Sequence, residues 1–134
     1  MQNFEDIRAW AAAKHKLKDN EPFLLSFDVA IIGEGRKQGM YIAELDCEDG
    51  TKIARVSTPI SRTARVNSER CMRFNWAQRV GYLAYRELDD QEWLHLCENR
   101  PYPGLSAPEL DRIMRELAPL ADKLERAFTG NDHT

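Results

Sequence analysis

The chain has 134 residues and a mass of 15.5 kDa, enough for one hydrophobic core and too little for two independent ones. Hydrophobic residues make up 43%, charged residues 31% and aromatic residues 9%, a balance that excludes collagen-like repeats, intrinsic disorder and bundles of membrane spans. The formal net charge of -3 conceals a basic centre: residues 51 to 86 hold Lys52, Arg55, Arg62, Arg65, Arg70, Arg73, Arg79 and Arg86 against the single acid Glu69.

The opening Met1-Gln2-Asn3-Phe4-Glu5-Asp6 has neither the basic start nor the apolar block of a secretory signal. No apolar run approaches the roughly 20 residues that a bilayer needs, so a cytoplasmic protein without membrane contact is expected. Asn3 is placed to cap a first helix, whose stripe of Phe4, Ile7, Ala11 and Ala12 reaches about Leu17 before Asp19-Asn20-Glu21-Pro22 stops it. From Phe23 the period changes to two. Phe23, Leu25, Phe27, Val29 and Ile31 then share one side of a strand, and Leu24, Ser26, Asp28, Ala30 and Ile32 the other. Gly33-Glu34-Gly35-Arg36 reads as a turn leading through a polar loop to a second strand, 40 to 47.

Asp49-Gly50 predicts a two-residue hairpin turn, because a type I′ turn needs positive φ at both positions. Pairing Glu48 with Thr51 in that register sets Glu44 opposite Arg55 and puts Tyr41, Ala43 and Leu45 on one face with Thr58, Val56 and Ala54. Pro59 is expected to end the third strand. Asn67 or Ser68 can cap a short helix with apolar members Cys71, Met72, Phe74, Trp76 and Ala77. Two more strands follow, 80 to 88 and 92 to 99, joined by Asp89-Asp90-Gln91. Ser106-Ala107-Pro108-Glu109 is a capping box for the last helix, along which Leu110, Ile113, Met114, Leu117, Ala121, Leu124 and Phe128 recur at helical spacing. Pro119 should bend that helix near Leu117 or break it. The predicted fold is α+β, an antiparallel sheet of about five strands packed against helices in the order α-β-β-β-α-β-β-α. It forms a single domain over 1 to 130 with a frayed tail at 131 to 134.

Motifs for chemistry are missing. His15, His95 and His133 are far apart, and Cys47, Cys71 and Cys97 form no Cys-x-x-Cys pair, so reduced thiols and no metal or cofactor are expected. There is no Gly-x-Ser-x-Gly elbow, and Gly33-Glu34-Gly35 lacks the third glycine and the helix of a dinucleotide loop. His95 and Cys97 share a strand face, the one place where a nucleophile and its base could be sketched; core packing beside Trp93 accounts for them more simply. The arginine-rich segment calls for an acidic partner, supplied by the flanking thirds of the same chain or of a second subunit, or by nucleic acid through Arg62, Arg65, Arg70, Arg73 and Arg79. The acidic total argues against the last. Arginine beside Phe74 and Trp76 also suits a protein interface.

The stretch from Val66-Asn67 through Arg73-Phe74-Asn75, the strand pair around Tyr82 to Glu87 and Trp93 to Glu98, and Pro103-Gly104-Leu105-Ser106 before the last helix resemble the YbjN-like family of bacterial sensory transduction regulators, which shares the fold of type III secretion chaperones. The resemblance implies a non-enzymatic protein that works by contact, often as a homodimer, with exposed apolar strand or helix surface receiving a partner segment. On that expectation the sheet face carrying Leu24, Ala30, Ile32 and Ile42 is a partner groove, and Arg70, Arg73, Trp76 and Arg79 of the short helix are candidate protein-binding residues.

Overall fold

The structure is a computed structural model, which describes residues 1 to 31, 33 to 63 and 66 to 130. Ile32, Arg65 and the tail 131 to 134, expected to fray, lie outside the described residues. Three helices, α1 (Phe4–Lys14), α2 (Ser68–Ala77) and α3 (Ala107–Glu125), join six strands: β1 (Asp19–Glu21), β2 (Leu24–Ile31), β3 (Arg36–Asp46), β4 (Lys52–Arg62), β5 (Tyr82–Leu88) and β6 (Gln91–Pro101). The strands form one sheet in the order β1-β2-β3-β4-β6-β5, and every pairing is antiparallel. The expected α+β architecture holds, with six strands instead of about five. The added strand is β1, built from the segment read as a helix stop.

Leu25, Phe27 and Ile31 of β2, Met40 and Ile42 of β3, Ala54, Val56 and Ile60 of β4, Leu83 of β5 and Leu94 and Leu96 of β6 turn toward the helices. Phe4, Ile7 and Ala11 of α1, Cys71 of α2, and Leu110, Ile113, Leu117 and Ala121 of α3 meet them in one core. Phe23 departs from its predicted set: it precedes β2 and is 63% exposed. No helix among the described residues is long and apolar enough to cross a membrane.

The β3–β4 hairpin is one residue out of the expected register. Tyr41 pairs with Ser57, Ala43 with Arg55 and Glu44 with Ala54. Only Gly50 of the Asp49-Gly50 pair has positive φ, 86°. The loop is closed by Cys47 N–H to Thr51 O (2.8 Å) and Gly50 N–H to Cys47 O (3.0 Å), while the Asp49 carboxylate accepts from the Thr51 amide at 3.0 Å. One extra loop residue puts Tyr41, Ala43 and Leu45 of β3 on the face opposite Ala54, Val56 and Thr58, where they were expected to share one. Glu44 thereby faces the core and takes the Tyr102 hydroxyl at 2.8 Å in place of Arg55.

Pro59 does not end β4. The strand absorbs it with a bulge between Pro59 and Ser61, and the buried Gln38 side chain donates to Thr58 Oγ1 (2.8 Å) and to the Pro59 carbonyl (3.2 Å) where the ladder is disturbed. Pro119 likewise leaves α3 unbroken. Pro119 and Arg115 are both exposed, so the carbonyl that loses its intrahelical donor faces water. The helix continues to Glu125 and widens into a π-helical turn, Arg126–Gly130. Ser106 caps α3 by accepting the Glu109 amide at 3.3 Å. The Glu109 carboxylate, instead of reaching back to complete the box, holds Arg100 (3.1 Å) and Arg112 (2.6 Å).

Candidate functional site

All three helices lie on one side of the sheet, which leaves two surfaces to consider: the outer side of α2 and the sheet face that no described helix covers. Asn67 starts α2 by accepting the amides of Glu69 (2.9 Å) and Arg70 (3.2 Å). At 100° per residue Cys71 and Asn75 fall on the inner side of this helix, while Met72 and Trp76, four apart, make an outer stripe. Cys71 is buried, whereas Met72 is 68% and Trp76 93% exposed. Asn75 fastens α2 to the sheet edge: it accepts the Leu83 amide at 2.6 Å and donates to the Leu83 carbonyl at 3.1 Å, as a neighbouring strand would. A cleft of about 260 Å³ opens between α2 and β5, lined by Ser68, Cys71, Met72, Leu83, Tyr85 and Leu94 among others. Tyr85, 45% exposed, shares a hydrogen bond with Ser68 at 2.9 Å.

The cations around α2 differ in how they are engaged. Arg73 pairs with Glu69 (2.6 Å) and Arg79 with Glu116 of α3 (2.8 Å), both well exposed pairs of small energetic value. Arg70 stacks over the Phe128 ring at 5.3 Å. The flanking acidic thirds therefore do supply partners to part of the basic centre, Arg79 here and Lys52 through Asp46. They supply none to Arg55, Arg62 or Arg86 among the described residues.

On the uncovered face Arg62 of β4, Trp93 of β6 and Arg86 of β5 are in register as one row across three strands. The Arg62 guanidinium lies 6.0 Å from the Trp93 ring centre and donates to the Gln91 side chain. Further along the same face Arg55 donates to Asn99 at 3.0 Å, and Tyr82 shares that acceptor at 3.1 Å. His95 lies between Pro59 and Ala84, and Cys97 between Ser57 and Tyr82.

Three of the expected binding residues on α2, Arg70, Arg73 and Arg79, and the exposed Trp76 lie together near β5. The groove residues do not join them. Leu24 is half-buried and Ala30 exposed on the uncovered side of β2, which is separated from β5 by β3, β4 and β6, roughly 19 Å at the usual strand spacing. Ile42 is a correction. It pairs with Leu25 and Val56 on the helix side and is 0% exposed, because that pairing and the period-two alternation of the strand send the even-numbered β3 positions inward. Ile32 is outside the described residues. Arg55, Arg86, Tyr82 and Tyr85 were not singled out as binding residues; the period-two alternation of β4, β5 and β6 carries the signal that groups the first three with Trp93.

His95 and Cys97 are poor material for nucleophilic catalysis. Burial pushes the Cys97 thiol up to about 11, and burial together with Arg86 pushes the His95 imidazole down to about 4. An activated pair needs the thiol lowered and the base near neutral pH. Two residues apart on one strand, they are also set side by side with no hydrogen bond between them among the described residues. No group of three His, Cys, Asp or Glu side chains converges as metal ligands among the described residues.

No family model and no curated protein sequence matches the chain. A solved structure does: a chain in the HopA1–SchA chaperone–effector complex superposes with a TM-score of 0.54 at 12% identity, covering 92% of this chain and 88% of that one. The likeness is one of fold, and it agrees with the chaperone-like architecture expected from the order of elements.

Proposed function

We propose that the chain is a non-enzymatic, single-domain protein-binding module of chaperone-like type that acts in the bacterial cytoplasm as a homodimer, with α2 and the adjoining cleft as its contact surface. The observation that carries this reading is Trp76, 93% exposed one turn from the 68% exposed Met72. Large aromatic and thioether side chains gain most when a partner removes them from water, and tryptophan and arginine dominate interface energies. The likeness to a chain of a chaperone–effector complex supports a protein as the partner. The regulatory role of the YbjN-like family is a form of the same activity, since it too proceeds by contact.

A photo-crosslinking amino acid placed at position 76 tests the reading in cells of the source organism. Crosslinks to a second copy of the chain support the homodimer, and crosslinks to one recurrent other protein support a partner on α2. Crosslinks to neither, with Lys52 as a control position, overturn the assignment of this surface. Recovery of nucleic acid at position 76 in place of protein overturns the protein-binding reading itself.

A further inference from the structure

We propose that the uncovered sheet face over β4, β6 and β5 is a second binding track, and that its occupant is an extended, carboxylate-rich segment of a partner protein. The proposal rests on the protein-binding reading and names the chemistry of what binds. Along these three strands the alternation places Arg55, Pro59, Tyr82, Ala84, Arg86 and Trp93 outward and at least partly exposed, without one acid among the outward positions. Arg55 and Arg62 are held by the neutral amides of Asn99 and Gln91, and Arg86 has no ion pair among the described residues. An arginine oriented by a neutral acceptor keeps its full charge and part of its five-donor fork free for a carboxylate.

The spacing argues for an extended chain. The Arg62–Trp93–Arg86 row and the Arg55–Asn99 pair lie six residues apart along β6, about 20 Å at the rise of a strand. About six residues of extended peptide span that length. Between the two ends no charged side chain stands: Ser57, His95 and Cys97 are buried, and Pro59, Ala84 and Tyr82 are the partly exposed surface. Such a track offers cationic contacts at both ends and Trp93 and Tyr82 as flat apolar surface. Nucleic acid fits less well. Asp89 and Asp90 stand at the hairpin tip next to the arginine row, where they repel a polyanion that runs on past it, and the whole chain is acidic. A short segment with carboxylates at its ends stays within the positive zone.

Fluorescence anisotropy with a fluorescein-labelled peptide of alternating Glu and Leu tests the proposal, with a peptide carrying Gln at every Glu and an oligothymidylate as competitors. The expected result is binding of the Glu peptide that R55Q/R62Q/R86Q weakens by about tenfold or more. K14Q/R112Q, which removes two cations already paired to Asp111 and Glu109 on the helix side, should change it by less than about twofold. Arg86 has no side-chain hydrogen bond or ion pair among the described residues, so R86Q alone guards against a folding artefact and should weaken binding by about threefold. Equal binding of the Gln peptide, or a triple variant that binds like the parent, overturns the proposal. Displacement by oligothymidylate through the same three arginines overturns it in favour of nucleic acid. Crosslinking at position 76 is independent of these arginines, so failure of the α2 surface and failure of this track are read separately.

Discussion

His95 lies in the middle of β6 at 0% exposure, with neither ring nitrogen hydrogen-bonded among the described residues. Removal from water disfavours the imidazolium, and Arg86 adds repulsion, so the folded chain holds this side chain neutral down to about pH 4. The unfolded chain protonates it near pH 6.5. Stability is thus fully present above pH 6.5 and declines as pH falls toward 4, because in that window the unfolded state binds the extra proton; the slope reaches at most about 1.4 kcal/mol per pH unit. We expect urea denaturation of the parent to show this decline and His95→Leu to flatten most of it. A smaller slope of the same sign should persist from His15, lowered first by burial against Phe27 and then by Lys14. An undiminished slope in His95→Leu would assign the effect elsewhere.

At the level of elements, β5 shows how a short helix can finish a sheet. Leu83 directs its backbone N–H and C=O away from β6, where an edge strand would expose them to pairing with another chain. Asn75 occupies both groups, and Ser68 holds Tyr85 farther along the same edge. Asn75→Ala should cost about 1–3 kcal/mol, since it leaves a half-buried donor and acceptor without partners. It should also raise hydrogen exchange at the Leu83 amide selectively. Unchanged exchange there would show that the amide–backbone pair contributes nothing to edge protection. Arrangement, more than composition, sets the character of α2: its apolar residues are numerous, yet Cys71 alone is buried, and its stable attachment comes from a polar side chain.

Across the whole molecule the helices are gathered on one side, so the two sides of the sheet answer to different demands. Leu117 of α3 is 0% exposed in the covered core, while Trp76 is a larger side chain left in water. Leu117→Ala should therefore destabilise the monomer by about 2–5 kcal/mol. Trp76→Ala should stay within about 0.5 kcal/mol in dilute protein, as surface substitutions do. A large loss of stability on dilution-independent unfolding of Trp76→Ala would mean that Trp76 serves the fold and not a partner. The charge pattern divides in the same manner. Acidic residues of the outer thirds reach Lys52, Arg79 and Arg36, the last bonded to Asp122 at 2.7 Å and 3.0 Å, so that α3 is tied to β3. They leave the arginines of the uncovered face to something else.

The sequence by itself determined the class of fold, the caps at Asn3 and Ser106, the start of α2 at Asn67 or Ser68, and the stripe of α3, because these depend on neighbours within one or two turns and on periods of 2.0 and 3.6 residues. It also displayed the basic centre. Only the tertiary structure decided the register of the β3–β4 hairpin, where one extra loop residue sends Ile42 and Glu44 inward and Tyr41 and Ala43 outward. Only it brought Arg62, Trp93 and Arg86, from three separate strands, into one row. It likewise decided that Trp76 faces solvent, since a ten-residue helix with apolar residues on several sides can bury just the side that the sheet edge reaches. Local propensity acts through the chain, whereas a binding surface is assembled by strand pairing between residues far apart in it, and that pairing is settled by the competition of whole faces for the core.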